Sequence, residues 1–216
     1  MRDSFHEDLE AITALQLKMA VLVKDAIEKA TTSLLASDLA LAEKVIEEDA
    51  QIDLIHHDLD ERVIDLMARQ QPVASDLRAL VSAIRISADL ERMGDLAHHL
   101  AKLARMRYPN SAVPAEFIDL ITSMGAEASR ITEKMTVVIE FRDTTRALEV
   151  EKDDDAMDQL QRKLIASLVD PNGKHNVETS IDMAFASRYY ERFSDHVVSI
   201  AQRVYYTQTG EFAPKA

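Results

Sequence analysis

The sequence predicts an all-α protein built as two tandem, pseudo-symmetric three-helix bundles, and three observations lead there. Only 4 Gly and 5 Pro occur in 216 residues, too few turn residues for a sheet protein of this length. Leu, Ala, Met, Glu and Arg, all good helix formers, are abundant. The punctuation cuts the chain into three helical segments, a linker, and three more helical segments. Apolar residues make up 47% of the chain and Trp is absent, so the core is expected to consist of Leu, Ile, Val, Met and Ala.

The six predicted helices span about 4–35, 38–69, 75–107, 115–141, 144–169 and 177–208, with boundaries uncertain by a few residues. Ser37-Asp38 supplies an N-cap for the second helix, and Gln71-Pro72 ends it. Ser75-Asp76 opens the third. Tyr108-Pro109-Asn110-Ser111-Ala112-Val113-Pro114 is the clearest linker, which divides the chain into a first bundle at 1–108, a connection at 109–113 and a second bundle at 114–211. Asp143 followed by Thr144 caps the fifth helix, and Asp170-Pro171-Asn172-Gly173 is a turn cluster before the sixth.

Composition also narrows the function. With no cysteine, disulfides, thiolate metal sites and thiol nucleophiles are excluded together, which suits a reducing compartment. The opening residues show no signal peptide, and no run of about 18 apolar residues suggests a membrane span. The expected location is the cytoplasm, with membrane association only through partners. A net charge of −13 argues against general nucleic-acid binding and suits a protein that collects cations. No catalytic triad, Gly-rich phosphate loop or nucleophile elbow is present, so an enzyme is not expected.

The two halves repeat. Asp89-Leu90-Glu91-Arg92-Met93-Gly94-Asp95 matches Tyr189-Tyr190-Glu191-Arg192-Phe193-Ser194-Asp195 at an offset of 100, and Ala101 falls on Ala201. Earlier in each half, Asp49-Ala50-Gln51-Ile52-Asp53 matches Asp154-Asp155-Ala156-Met157-Asp158 at an offset of 105. Asp38 with Asp143, and Met19 with Met124, share the second offset. A duplication with one loop of unequal length accounts for both offsets.

The clearest repeated residues are acidic. Asp49 with Asp53, Glu91 with Asp95, Asp154 with Asp158, and Glu191 with Asp195 are i,i+4 pairs, about 5–6 Å apart on one helix face. Like charges so placed repel, and compensating cations at i±3 or i±4 are largely missing; Arg188 and Arg162 are the exceptions. In the third helix a heptad-spaced line runs Leu77, Val81, Ile84, Ala88, Glu91, Asp95. In the sixth it runs Val177, Ile181, Ala184, Arg188, Glu191, Asp195, Val198. The acids therefore extend what reads as a packing seam, where carboxylates need a cation or extensive hydrogen bonding. Hard oxygen donors converging from two helices would meet that need with a metal ion. His56 and His57 follow Asp53, and His98 and His99 follow Asp95, so His57, His98 and His99 are possible additional ligands, with His196 beside Asp195. Arg92 and Arg192 sit about 100° round the helix from the acidic seam and could brace the carboxylates or an interface. Small Gly94 and Ser194 would let an ion or helix approach closely.

Glu91-Arg92-Met93-Gly94-Asp95 and Glu191-Arg192-Phe193-Ser194-Asp195 resemble the twin signatures of the PhoU family, as do the two acidic segments before them and the opening Phe5-His6-Glu7-Asp8-Leu9. The resemblance covers essentially the whole chain. It implies two three-helix bundles and multinuclear sites for iron, zinc, manganese or magnesium on the eight paired carboxylates. It also implies a negative regulator linking a phosphate ABC transporter to a sensor histidine kinase, and self-association as a homodimer. Leu96 stands where the family often has His after the signature Asp, so the first site is expected to differ from the second, which keeps His196. The rival readings are a ferritin-like di-metal carboxylate protein, suggested by Asp53 with His56 and Asp95 with His98, and a metal-free helical adaptor.

Overall fold

A computed structural model describes residues 2–170, 173 and 175–214. The elements are α1 (Arg2–Ala36), α2 (Leu39–Gln70), α3 (Ser75–Arg107), a 3-10 turn (Ala115–Phe117), α4 (Ile118–Phe141), α5 (Thr144–Leu168) and α6 (Val177–Thr209), with no strand among the described residues. Each matches a predicted helix. The largest difference is at α4, which begins at Ile118 because the three residues after Pro114 wind as a 3-10 turn. Pro171 and Asn172 of the predicted turn cluster lie outside the described residues.

The duplication is visible in local chemistry. Ser37 and Arg142 both adopt left-handed backbone, at φ 54° and 52°, and each turns the chain into an aspartate N-cap. Asp38 accepts from the Leu41 N–H and Asp143 from those of Thr145 and Arg146, which satisfies orphan donors of the first turn. Lys29 reaches Glu48 at 2.8 Å and Lys134 reaches Asp153 at 2.5 Å, two ion pairs related by the offset of 105.

Helices α2, α3, α6 and α5 lie side by side in that order, and α1 and α4 pack behind them and against each other. The halves share one core. A single buried cluster runs from Met19, Ile27 and Leu34 through Met93 and Ala97 to Met124, Tyr190 and Phe193. A second, smaller cluster around Leu59, Leu66 and Leu80 belongs to the first half alone. Where α1 meets α4, Thr31 packs against Gly125, and a Cβ on that glycine would collide with the threonine side chain. Thr31 also shares a 2.7 Å hydrogen bond with the hydroxyl of Tyr190.

Helices α3 and α6 run antiparallel across the boundary between halves. Arg78 donates to the Thr207 carbonyl at 3.3 Å near one end, and Arg107 donates to Asp182 at 2.6 and 2.9 Å near the other. Between them, Asp89 accepts from Ser199 and Arg203 at 3.0 Å each and lies 2.9 Å from His196 Nδ1. Burial opposes ionisation of Asp89, but the His196, Arg203 and Ser199 bonds outweigh it and hold its pKa below the usual carboxylate value.

The packing-seam reading of the heptad line is corrected. Leu77 and Val81 are 42% and 38% exposed, and Ile181 is 49% exposed. The buried face of α3 instead carries Leu80, Ile86, Leu90, Met93, Ala97 and Leu100. Both stripes are apolar in the first turns of the helix, but only the second stays apolar along its whole length. Burying that continuous stripe removes more apolar surface from water.

Candidate functional site

The described acids of the pairs lie at the α2–α3 and α5–α6 contacts and differ in exposure: the side chains of Asp158 and Asp195 are 41% and 42% exposed, those of Asp49, Glu91 and Glu191 only 13%, 21% and 14%. In the first half, Gly94 brings the two helices together. A Cβ there would lie 2.9 Å from Ile52 Cδ1 and 3.2 Å from Asp49 Oδ1, so the glycine leaves room for the aspartate to lean onto α3. The other Asp49 oxygen lies 2.5 Å from His98 Nδ1. His98 Nε2 is buried and has no hydrogen-bond partner among the described residues. A carboxylate on one ring nitrogen fixes the imidazole and leaves the opposite nitrogen directed at whatever it binds, the arrangement that supports metal-ligating histidines.

Glu91 is half-buried, and burial followed by the charge of Asp95 pushes its pKa up; Arg92 and His56 oppose this, and Asp53 adds to it. Arg92 donates to Asp95 at 2.7 Å and approaches Glu91 at 3.5 Å. This corrects the expectation that the pair is uncompensated: Arg92 stands three residues before Asp95, within reach of the preceding turn. Asp53 and His57 are exposed. His56 lies 2.7 Å from Ser87 Oγ and 3.8 Å from Asp60, and Asp60 Oδ1 is buried with no partner among the described residues. Ser87 and Asp60 were missed by sequence reasoning; Asp60 follows His56 by four residues, a spacing that could have flagged it. His99 stacks on Tyr189 of α6, with ring centroids 5.2 Å apart. Burial, then the charge of Lys102, lowers its pKa.

The second half is arranged differently. Arg162 donates to Asp158 at 3.0 Å, Arg188 to both oxygens of Glu191 at 2.5 Å, and Arg192 lies 3.8 Å from Asp195. The side chain of Asp154 lies outside the described residues. Burial and the neighbouring Asp195 push the Glu191 pKa up, against Arg188 and Arg192. Val198 stands where the first half has His98. His196 is turned to Asp89 across the α3–α6 boundary. Among the described residues, no three His, Asp or Glu side chains converge closely enough to form a finished cation cage. Of Asp49, Asp53, Glu91, Asp95 and His98 at the α2–α3 contact, the feature that points to a ligand is the unpartnered His98 Nε2.

Comparison with known proteins agrees with the duplicated helical fold. The PhoU domain family model matches residues 17–104 and 121–204, once per half. The chain is 42% identical over 212 residues to the phosphate-specific transport system accessory protein PhoU homolog 2 of Mycobacterium tuberculosis, covering 98% of this chain and 100% of that protein. It is 40% identical to PhoU homolog 1 of Mycobacterium leprae, covering 98% and 96%. The crystal structure of PhoU from Pseudomonas aeruginosa superposes with a TM-score of 0.87 at 29% identity, covering 96% of this chain and 100% of that one. The phosphate transport system regulatory protein PhoU from Streptococcus pneumoniae shares the fold, with a TM-score of 0.88. With the domain matched in both halves and the similarity running along nearly its full length, the chain belongs to the PhoU family.

Proposed function

We propose that this protein is a regulator of phosphate transport, not an enzyme, and that it acts through contacts made by its acidic outer face. The reading rests on its family, whose members related to this chain are named accessory proteins of the phosphate-specific transport system. No helix among the described residues is long and apolar enough to cross a membrane, so contact with a transporter would run through protein partners. The proposed partners are subunits of a phosphate ABC transporter and its sensor histidine kinase, with the protein acting in the cytoplasm as a homodimer.

The observation that carries the metal part of the proposal is His98, held by Asp49 on one nitrogen and unpartnered on the other. Asp49, Asp53, Glu91, Asp95 and His98 would hold a divalent or trivalent ion; iron, zinc, manganese and magnesium remain the candidates, and the imidazole favours the first three. A bound cation would supply charge neutralisation at a face that otherwise repels itself. Asp158, Glu191, Asp195 and Asp154 form the second proposed group, and their arginines compete with a cation there. The same arginines favour the alternative of a metal-free adaptor for that half.

Elemental analysis of the purified protein and thermal melts during titration with zinc, manganese and ferrous ions test the proposal. Ion at 100 times its Kd stabilises a protein by about 2.7 kcal/mol. The His98→Ala variant is expected to lose most of that gain, and Glu191→Gln little of it. Absence of bound metal together with a melting temperature indifferent to all three ions would remove the metal from the mechanism.

A further inference from the structure

The duplication places equivalent positions at the two ends of the α3–α6 pair, and these ends handle charge differently. At one end Arg107 donates to both oxygens of Asp182 and to Glu178, so its charge is neutralised inside the fold. The repeat positions at the opposite end are Thr207, Ser82 and Arg78. Both carboxylates are gone, and a cation stands where one of them was.

That second end encloses a cavity of about 350 Å³ between α1, α3, α4 and α6, within the range of about 300–1,000 Å³ for small-molecule sites. Arg78 and Arg142 both line it. Neither has a carboxylate within ion-pair distance among the described residues, which is notable in a chain of net charge −13. Arg78 is positioned by the Thr207 carbonyl and by the ring of Tyr206, 5.6 Å below its guanidinium. Ser82, only 4% exposed, also lines the cavity. Ile12, Ile139 and Val204 add an apolar wall. The two carboxylates that also line the cavity, Glu10 and Asp76, are exposed and paired with neither arginine.

We propose that this cavity binds a small organic oxyanion. Its charged group takes, between Arg78 and Arg142, the role that the Asp182 carboxylate plays beside Arg107. The Ser82 hydroxyl donates to it, and its body lies on the apolar wall. A phosphate monoester and a carboxylate share this chemistry. The site is independent of the metal proposal, since none of its residues lies on the acidic outer face.

Isothermal titration of the full-length protein with phenyl phosphate, benzoate and benzyl alcohol tests the assignment. One or both anions should bind saturably and the alcohol should not. Arg78→Met and Arg142→Asn should each weaken binding about tenfold, equivalent to 1.4 kcal/mol. Asn tolerates the left-handed backbone at position 142, so that variant tests the charge without straining the fold. Arg105→Met removes an exposed cation at the far end of α3 and should leave affinity unchanged. Lack of saturable binding by either anion, equal binding of benzyl alcohol, or equal weakening by Arg105→Met would overturn the proposal.

Discussion

Thr31 and Tyr190 show how much a single polar contact contributes when it is buried at a junction. Tyr190 is fully enclosed, and among the described residues its hydroxyl pairs with the Thr31 hydroxyl, which also donates to the Ile27 carbonyl. Thr31→Val would leave the phenol unsatisfied, at a cost of about 1–3 kcal/mol. Tyr190→Phe removes the orphan with the bond and is expected to cost less than half as much, because Thr31 keeps its backbone partner. Urea denaturation of the two variants checks the order. His175 offers a pH test in the loop before α6. The Ser167 carbonyl, then the Glu116 carboxylate, favour its charged form and raise its pKa above 6.5. A raised folded pKa means that the stabilisation is complete below the unfolded value and is lost as pH rises through the folded one. Melting temperature should therefore fall as pH rises above about 6.5, and His175→Asn should flatten that part of the profile.

At the scale of the element, α3 carries two apolar stripes and buries one. Leu80 is fully enclosed, whereas its neighbour Val81 looks outward. Leu80→Ala is expected to cost about 2–5 kcal/mol, and Val81→Ser to stay within about 0.5 kcal/mol. Comparable losses at the two sites would mean that the outer stripe is covered in solution, and sedimentation velocity would then show the larger assembly. The helices themselves were legible in the sequence, because aspartate caps and proline stops act locally. The choice between stripes was not, because a heptad line and its neighbour differ only in what packs against them. Arg92 shows the same limit on a smaller scale. Its spacing to Asp95 was readable, but which of several acids it would engage was set by the side chains around it.

For the whole molecule, the shared core makes the two repeats one cooperative body. Met124 and Phe193 of the second half are buried in the same cluster as Met19 and Met93 of the first, and the Asp89 and Asp182 ion pairs cross the same boundary. Calorimetry should show a single transition with matching van't Hoff and calorimetric enthalpies. Two resolved transitions would show that the halves unfold separately. The duplication also diverged where the halves meet. Asp89 anchors His196 and Arg203, whereas its counterpart Tyr189 stacks on His99.

The sequence by itself determined six helices, the aspartate caps of α2 and α5, the duplication and the four acidic pairs, because each is written in spacings along one segment. The PhoU resemblance was readable for the same reason. Tertiary structure alone decided that Leu77 and Val81 lie outside the core, that His98 rather than His57 leans on Asp49, and that Arg78 and Arg142 line one cavity with no carboxylate partner among the described residues. Those outcomes depend on which side chains meet across helices far apart in the chain, and helical periodicity carries no information about that meeting.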